Sequence, residues 1–169
     1  NALPGGEWFV LDGQIIGICT DASTQHSLLI SEKRYSDFHL RVEFMSVLGN
    51  SGLYFRTDRV DHPVGVKGFQ AEICPNGYPA GGLYETLGRA WVARSDKEQV
   101  NAVFKKYDWN VMEVIAVGGD IRVLLNGVKV CEVKDDPGLP AGHIGLQLHG
   151  KANLDVRFRT VEIKEISGP

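Results

Sequence analysis

The chain has 169 residues, of which 43% are hydrophobic and 23% are charged, and its formal net charge is -3. This composition is ordinary for a globular protein, and the length suits one domain, so we expect residues 1–169 to form a single domain. The acidic balance and the absence of a basic cluster exclude nucleic acid and anionic membranes as main partners. No apolar run approaches the roughly 18 to 20 residues that cross a bilayer.

Short runs rich in Val, Ile, Leu and Phe are separated by 20 glycines and 7 prolines, which predicts an all-β sandwich or barrel. Residues 37–44, 51–56 and 68–73 alternate apolar with polar side chains, as strands with one buried face do. Residues 110–133 predict a three-stranded meander, because Asn126-Gly127 is a strong two-residue hairpin signal.

One window predicts a helix instead. Ser95 and Glu98 have the spacing of a capping box, and apolar residues follow at intervals of three and four, so we expect a short helix over 96–106. Two segments, 57–67 and 74–94, are predicted to be irregular. Loops of this length in a compact β domain are often functional.

The strand at 142–150 presents Gln147 and His149 on the face opposite to its leucines. Two other strands carry matching polar pairs, which are Tyr54 with Arg56 and Gln70 with Glu72. Planar donors and acceptors beside an aromatic ring suit a neutral, hydroxyl-rich ligand such as a sugar. The alternative is a solvated sheet face whose polar residues pair with one another.

Other polar residues are expected to lie outside this site. The cysteines are widely spaced and lack a C-x-x-C pair, so they predict buried free thiols: Cys19, Cys74 and Cys131. Three histidines fall in loop or outer-face positions and are expected to be structural or solvated: His26, His39 and His62. Asp135 and Asp136 predict a solvated loop, with a calcium site as the alternative.

The strings NSGLYFR, GFQAEI, GGLYE, DWN, LLNG, GLQLHG and VRFRTVEI occur in this order along the chain. In order and spacing they resemble the 3-keto-disaccharide hydrolase domain family, and the likeness runs from Trp8 to the closing strand. The resemblance implies a concanavalin A-like jelly roll, with two antiparallel sheets and a concave face that binds saccharides. Members are typically secreted or periplasmic, which is the location we expect, although the sequence shows no signal-peptide pattern.

Taken with the polar pairs, the resemblance selects a set of site residues. The expected catalytic residues are Arg56, Glu72 and His149. The expected substrate-binding residues are Tyr54, Gln70, Tyr84, Glu85, Trp91 and Gln147. The substrate implied is a saccharide or 3-keto-saccharide.

The chemistry that the family implies is an elimination. A ketone at C3 of the sugar acidifies the C2 proton, and the enolate that forms expels the oxygen on C1. We expect Glu72 or His149 to be the base and the other to be the acid, with Arg56 at the enolate oxygen. A divalent metal held by Glu72 and His149 is the alternative electrophile, and no other cofactor is implied.

Three other functions stay open at this point, and one of them is an attached interaction domain of a larger enzyme, which fits if this chain is a fragment. A non-catalytic, lectin-like carbohydrate-binding module would use exposed aromatics, and Tyr78, Tyr84 and Trp91 lie in the irregular segment 74–94. An ordinary glycosidase needs two facing carboxylates, for which the sequence offers Glu72 and Glu85. The sequence leaves the oligomeric state open.

Overall fold

The computed structural model describes residues 5–20 and 25–166. Within them the chain forms thirteen strands and one helix. In chain order these are β1 (Glu7–Leu11), β2 (Gln14–Cys19), β3 (Ser27–Tyr35), β4 (Phe38–Leu48), β5 (Ser51–Arg59), β6 (Val66–Ile73), β7 (Leu83–Thr86), β8 (Ala90–Ala93), α1 (Lys97–Val103), β9 (Asn110–Val117), β10 (Asp120–Leu125), β11 (Val128–Val133), β12 (Gly142–Leu148) and β13 (Leu154–Glu165).

The strands form two antiparallel sheets packed face to face, in the concanavalin A-like jelly-roll arrangement expected. One sheet has seven strands in the order β1-β2-β13-β4-β9-β10-β11, and the other has six in the order β3-β12-β5-β6-β7-β8. The core lies between the sheets and is filled by alternate residues of both, such as Phe44, Phe55, Met112 and Leu146. The all-β prediction is confirmed.

Most predicted elements are found, with some changes of boundary. The meander at 110–133 is β9, β10 and β11, and the expected helix is α1. The N-cap of α1 is Asp96, whose carboxylate accepts from the Gln99 backbone N–H at 3.0 Å, and not Ser95. The segments 57–67 and 74–94 are predicted to be irregular, but β5 continues to Arg59, β6 begins at Val66, and the second segment contains the short strands β7 and β8.

Arg56 does not share the outer face of Tyr54, which corrects the alternation predicted for β5. The pairing of β5 with β6 shifts between Phe55 and Asp58, and Arg56 has φ +46°, so a bulge turns its side chain away. Its guanidinium donates to the Ser36 carbonyl at 2.8 Å, the Gly118 carbonyl at 2.7 Å and Asp37 Oδ1 at 3.1 Å. Arg56 is only 2% exposed and joins two turns at one end of the sandwich.

The structure also tests the predictions made for the cysteines and for Asp136. All three cysteines are free thiols, with Cys19 and Cys131 buried and Cys74 half-buried. Asp136 is not a solvated loop residue, because its carboxylate forms an ion pair with Arg89 at 2.7 Å and its side chain is 6% exposed.

We predict that Arg56→Ala destabilises the protein by about 2 to 4 kcal/mol, because two carbonyls and Asp37 lose a buried donor together. Arg34→Ala is the matched control, since Arg34 forms an exposed ion pair with Asp58 and its loss should cost less than about 1 kcal/mol. Chemical denaturation followed by tryptophan fluorescence measures both. Equal effects of the two substitutions would contradict this structural role.

Candidate functional site

A cavity of about 330 Å³ lies on the face of the six-stranded sheet that points away from the core. Strand alternation places its polar lining there, since Leu53 and Phe55 point into the core while Tyr54, between them, points outward. The antiparallel register then aligns Tyr54 with Gln70 of β6, Gln70 with Tyr84 of β7, and Tyr84 with Trp91 of β8. A row of large side chains therefore crosses four adjacent strands.

Gly52 provides the space in which these side chains meet. It is paired with Glu72 across β5 and β6, and it has no side chain on this face. A Cβ atom at position 52 would lie 2.4 Å from Nε2 of Gln70, so any larger residue would displace that amide. The glycine of the NSG string thus lets the Gln70 side chain lie across β5.

Glu72 is the only carboxylate in the lining of this cavity among the described residues. Its side chain accepts a hydrogen bond from the Asn50 amide and another from Gln70 Nε2 at 2.9 Å. Burial nevertheless raises the pKa of Glu72 to about 7, against the lowering effect of the two amides and of the Arg94 charge. A carboxyl with this pKa can accept or donate a proton near neutral pH.

A chain of hydrogen bonds fixes the direction of both glutamine amides. Gln70 Nε2 lies 3.5 Å from Gln147 Oε1, and Gln147 Nε2 donates to the Tyr54 hydroxyl at 3.2 Å. The Tyr54 hydroxyl lies 3.0 Å from Thr86 Oγ1, which can accept its proton. Burial raises the pKa of Tyr54 well above its ordinary value, so this phenol stays neutral. The lining around Glu72 is therefore a neutral, ordered layer of donors.

Two histidines pack edge to face at one side of the cavity, with the ring centroids of His26 and His149 4.4 Å apart. Nδ1 of His149 lies 2.8 Å from the Gly150 carbonyl and must donate to it, so Nε2 is left as the exchangeable position. Nδ1 of His26 lies 3.2 Å from Gln147 Nε2 and accepts from it, so Nε2 of His26 carries the proton. Burial, with the charges of His149 and Lys151, lowers the pKa of His26 to about 4 and keeps it neutral.

The opposite rim is aromatic and positively charged. Tyr84 and Trp91 pack edge to face with centroids 5.4 Å apart, and the Arg94 guanidinium stacks on Trp91 at 3.8 Å. Neither the Tyr84 hydroxyl nor the Trp91 indole N–H makes a hydrogen bond with a described residue. This rim offers a ligand the apolar surfaces of Tyr84 and Trp91, which both line the cavity, while Arg94 contacts Trp91 and is not itself part of the lining.

The cavity brings together seven of the nine residues expected in the site: Tyr54, Gln70, Glu72, Tyr84, Trp91, Gln147 and His149. Arg56 is absent from the lining because the bulge in β5 turns its side chain away. Glu85 is also absent, because its carboxylate bonds to Arg89 and lies beside a different cavity. The structure therefore separates Glu85 from Glu72, and the pair of facing carboxylates that an ordinary glycosidase needs is not formed.

Sequence reasoning missed three polar residues of the lining, His26, Asn50 and Thr86. Asn50 is the first residue of the NSG string, and Thr86 is the i+2 neighbour of Tyr84, so both carried a signal that the strand pattern could have supplied. His26 carried none, because a lone histidine before an apolar run has no distinctive spacing. Within residues 5–20 and 25–166, no group of three or more His, Cys, Asp or Glu side chains is arranged to hold a metal ion.

Comparison with known families gives one match over nearly the whole chain. The model of the family described as the 3-keto-alpha-glucoside-1,2-lyase-like domain matches residues 2–164. No curated protein sequence matches the chain. In the part of the chain that the structure describes, no helix is long and apolar enough to cross a membrane.

Solved structures share the fold at low sequence identity. The carbohydrate-binding module CBM66 from Bacillus subtilis is 16% identical, with a TM-score of 0.69 over 95% of this chain and 92% of that chain. A putative glycosyl hydrolase from Parabacteroides distasonis is 22% identical, with a TM-score of 0.64 over 94% and 90%. A Bacillus subtilis protein with a galectin-like fold is 13% identical, with a TM-score of 0.75 over 98% and 88%. These likenesses establish the fold.

The raised pKa of Glu72 makes a prediction about stability. Between the ordinary value of 4.5 and about 7 the folded state holds a proton that the unfolded state releases, so wild-type stability falls as pH rises through this window. Glu72→Gln lacks this loss. Its free energy of unfolding relative to wild type should therefore rise by about 3 kcal/mol between pH 4 and pH 8, as 2.5 pKa units imply.

Glu85→Gln is the matched control for this measurement. The Arg89 hydrogen bond lowers the pKa of Glu85, so that carboxyl is ionised in both states above pH about 5. Denaturation curves of the Glu85→Gln variant should differ from wild type by a constant amount from pH 5 to pH 8. A flat difference for Glu72→Gln as well would show that Glu72 is solvated.

Proposed function

The chain belongs to the 3-keto-alpha-glucoside-1,2-lyase-like domain family, and from this premise we propose that it cleaves 3-keto-glycosides by elimination. The reaction removes the proton on C2 of the keto sugar and expels the oxygen on C1. The observation that carries the proposal is Glu72, a buried carboxyl with a pKa of about 7 inside a cavity of neutral hydrogen-bonding groups. Proton abstraction next to a ketone needs such a base.

Glu72 is the base because both of its oxygens accept from amides, as an ionised carboxylate does. Asn50 and Gln70 hold the carboxylate in one orientation, and a fixed base loses no freedom when the substrate binds. Because the pKa of Glu72 lies near neutrality, the carboxylate is both populated at pH 7 to 8 and basic enough to take the proton.

The negative charge that develops on the C3 oxygen needs a donor, and Arg56 cannot supply it from its buried position. Arg94 is the cation whose charge reaches Glu72, and stacking on Trp91 fixes its guanidinium at the rim. We therefore assign to Arg94 the stabilisation of the enolate oxygen that was expected of Arg56. Tyr84 and Trp91 offer neutral donors and an apolar surface to the same sugar ring.

The electrons of the C2–H bond form the enolate, and their return from oxygen breaks the bond between C1 and its oxygen. The products are an unsaturated keto sugar and an alkoxide that must be protonated. We assign this proton transfer to Nε2 of His149, since the Nδ1 proton of the same ring is held by the Gly150 carbonyl. Water can add to the unsaturated sugar afterwards.

A binding role without catalysis is the second candidate, and the rim favours it. The pair of Tyr84 and Trp91 with stacked Arg94 is a surface on which sugar rings pack, with or without a reaction. A saccharide ligand is common to both functions. With either function we propose the periplasmic or secreted location that the resemblance implies.

The test is incubation of the protein with a 3-keto-glucoside and with the parent glucoside, and release of the aglycone is measured. We expect cleavage of the keto substrate alone, at a rate that falls as the pH drops below about 7 and Glu72 takes up a proton. Replacing the C2 hydrogen by deuterium should slow the reaction if C–H cleavage limits the rate. Glu72→Gln should lower turnover about a hundredfold or more.

The control variant is Glu85→Gln, which removes a neighbouring carboxylate outside the cavity and should keep normal turnover. Arg94→Ala should also lower turnover. A comparable loss of turnover on adding EDTA would instead assign the electrophilic role to a metal. Saccharide binding without cleavage of either substrate would overturn the enzymatic proposal in favour of the binding module.

A further inference from the structure

His26 lies just before β3 and reaches the cavity through the pairing of β3 with β12. The register of this pairing sets Gln147 opposite Leu28, and its continuation sets His149 opposite His26. Gln147 and His26 are then diagonal neighbours on the cavity face, a separation that long side chains can span. Gln147 Nε2 lies 3.2 Å from His26 Nδ1, so this imidazole ends the chain of amides that begins at Glu72.

Close packing holds His26 in this position. Gly150 follows His149, and a Cβ atom at Gly150 would lie 2.4 Å from the Gln25 carbonyl oxygen and 3.1 Å from the His26 backbone nitrogen. The chain after β12 therefore approaches the backbone of residues 25–26 more closely than a side chain at position 150 would allow. The imidazole of His26 also packs edge to face against His149, with ring centroids 4.4 Å apart. Both its backbone and its ring are thus held, as a positioning role requires.

The two glutamine amides have one self-consistent direction while Nδ1 of His26 is an acceptor. Gln147 Nε2 carries two protons, and both are used, one by His26 Nδ1 and one by the Tyr54 hydroxyl at 3.2 Å. Oε1 of Gln147 then faces Gln70, whose Nε2 lies 3.5 Å away and donates on its other side to Glu72 at 2.9 Å. An N–H of Gln70 therefore reaches the carboxylate because the far end of the chain accepts.

The opposite direction would place a carbonyl oxygen against Glu72. Without an acceptor at position 26, Gln147 could turn over, and its Nε2 would then face Nε2 of Gln70. Gln70 would have to turn as well, because two opposed donors repel, and its Oε1 would face the carboxyl group. An oxygen in this place favours the protonated acid, which can donate to it. The acceptor on His26 therefore decides which form of Glu72 the amides favour.

Among the groups around the chain, His26 is the one that can impose a direction. The charged or titratable groups that face the chain are His149, Lys151, Arg94, Tyr54, Tyr84 and Cys74. Of these, Tyr54 bonds to Gln147 Nε2, but a hydroxyl can donate or accept and so suits either direction. Burial, with the charges of His149 and Lys151, lowers the pKa of His26 to about 4, so its ring stays neutral where Glu72 titrates.

We propose that His26 is a positioning residue for Glu72 and acts through Gln147 and Gln70. Its Nδ1 holds the amide chain in the direction that turns an N–H towards the carboxylate. This role deepens the proposed function and rests on it only in naming Glu72 as the base. His26 itself makes no contact with the reacting atoms in this role.

The experiment follows the NMR titration of the Glu72 carboxyl carbon in wild type and in two variants of His26. His26→Leu keeps much of the bulk and removes the acceptor, so the midpoint should rise by about half a unit to one unit, the range of one hydrogen bond. His26→Asn places Oδ1 near the position of Nδ1 and should restore the wild-type midpoint. His39→Leu is the matched control, because His39 pairs with Glu113 on the other sheet at 2.6 Å and should leave the midpoint unchanged.

A double-mutant cycle tests whether the effect passes through the amides. Gln147→Met removes the amide at similar length, and in that background His26→Leu should no longer move the Glu72 midpoint. The nitrogen NMR shifts of the His26 ring give a second reading, since Nδ1 should be the unprotonated nitrogen at about pH 8. A proton on Nδ1, an equal shift in the Gln147→Met background, or failure of His26→Asn to restore the midpoint would each overturn the inference.

Kinetics separate a failure of this inference from a failure of the proposed function. The acid limb of the pH profile of kcat/KM for the 3-keto-glucoside should move up with the Glu72 midpoint in His26→Leu and return in His26→Asn. If wild type cleaves no substrate while the NMR midpoints shift as expected, the proposed function fails and the positioning of Glu72 stands. If wild type cleaves the keto substrate and His26→Leu moves neither the midpoint nor the acid limb, only the role of His26 fails.

Discussion

The side chain of Glu72 is held out of bulk water, and the polar layer of the six-stranded sheet is arranged around it. Burial disfavours the charge on this carboxylate, and the amides of Asn50 and Gln70 offset part of that cost. Gln70 can reach Glu72 only because Gly52 has no side chain, and Gln147 continues the same hydrogen-bond chain to Tyr54. An ionisable group with a pKa near neutrality is thereby placed on a rigid sheet.

Successive residues of β5 and β6 point alternately to the core and to the cavity, so one pattern of alternation forms both. Residues such as Leu53 and Phe69 bury one face in the core, which fixes the register of the strands. The same register determines which outward residues become neighbours, so the geometry of the cavity follows from the packing of the core. A shift of one residue in the strand register would exchange the two faces of the sheet and would destroy both the core packing and the cavity.

Much of this arrangement can be predicted from the sequence, since a period of two identifies both the strands and the outward pairs around Glu72. The prediction failed where the backbone leaves that period. The bulge at Arg56 depends on its bonds to the turns at Ser36 and Gly118, contacts that are distant in the sequence. His26 reaches the cavity by pairing of β3 with β12, which no local pattern encodes. Long-range topology therefore decided the positions of Arg56 and His26, whereas Asn50 and Thr86 were missed although the local strand pattern carried a signal for them.

The measurement that tests this account most directly is an NMR titration of the Glu72 side-chain carboxyl carbon, assigned by comparison with the Glu72→Gln variant. The account predicts a midpoint at about pH 7, well above the ordinary value of 4.5. A midpoint near 4.5 would show that the carboxylate is solvated, and the assignment of Glu72 as a base poised near neutrality would be contradicted.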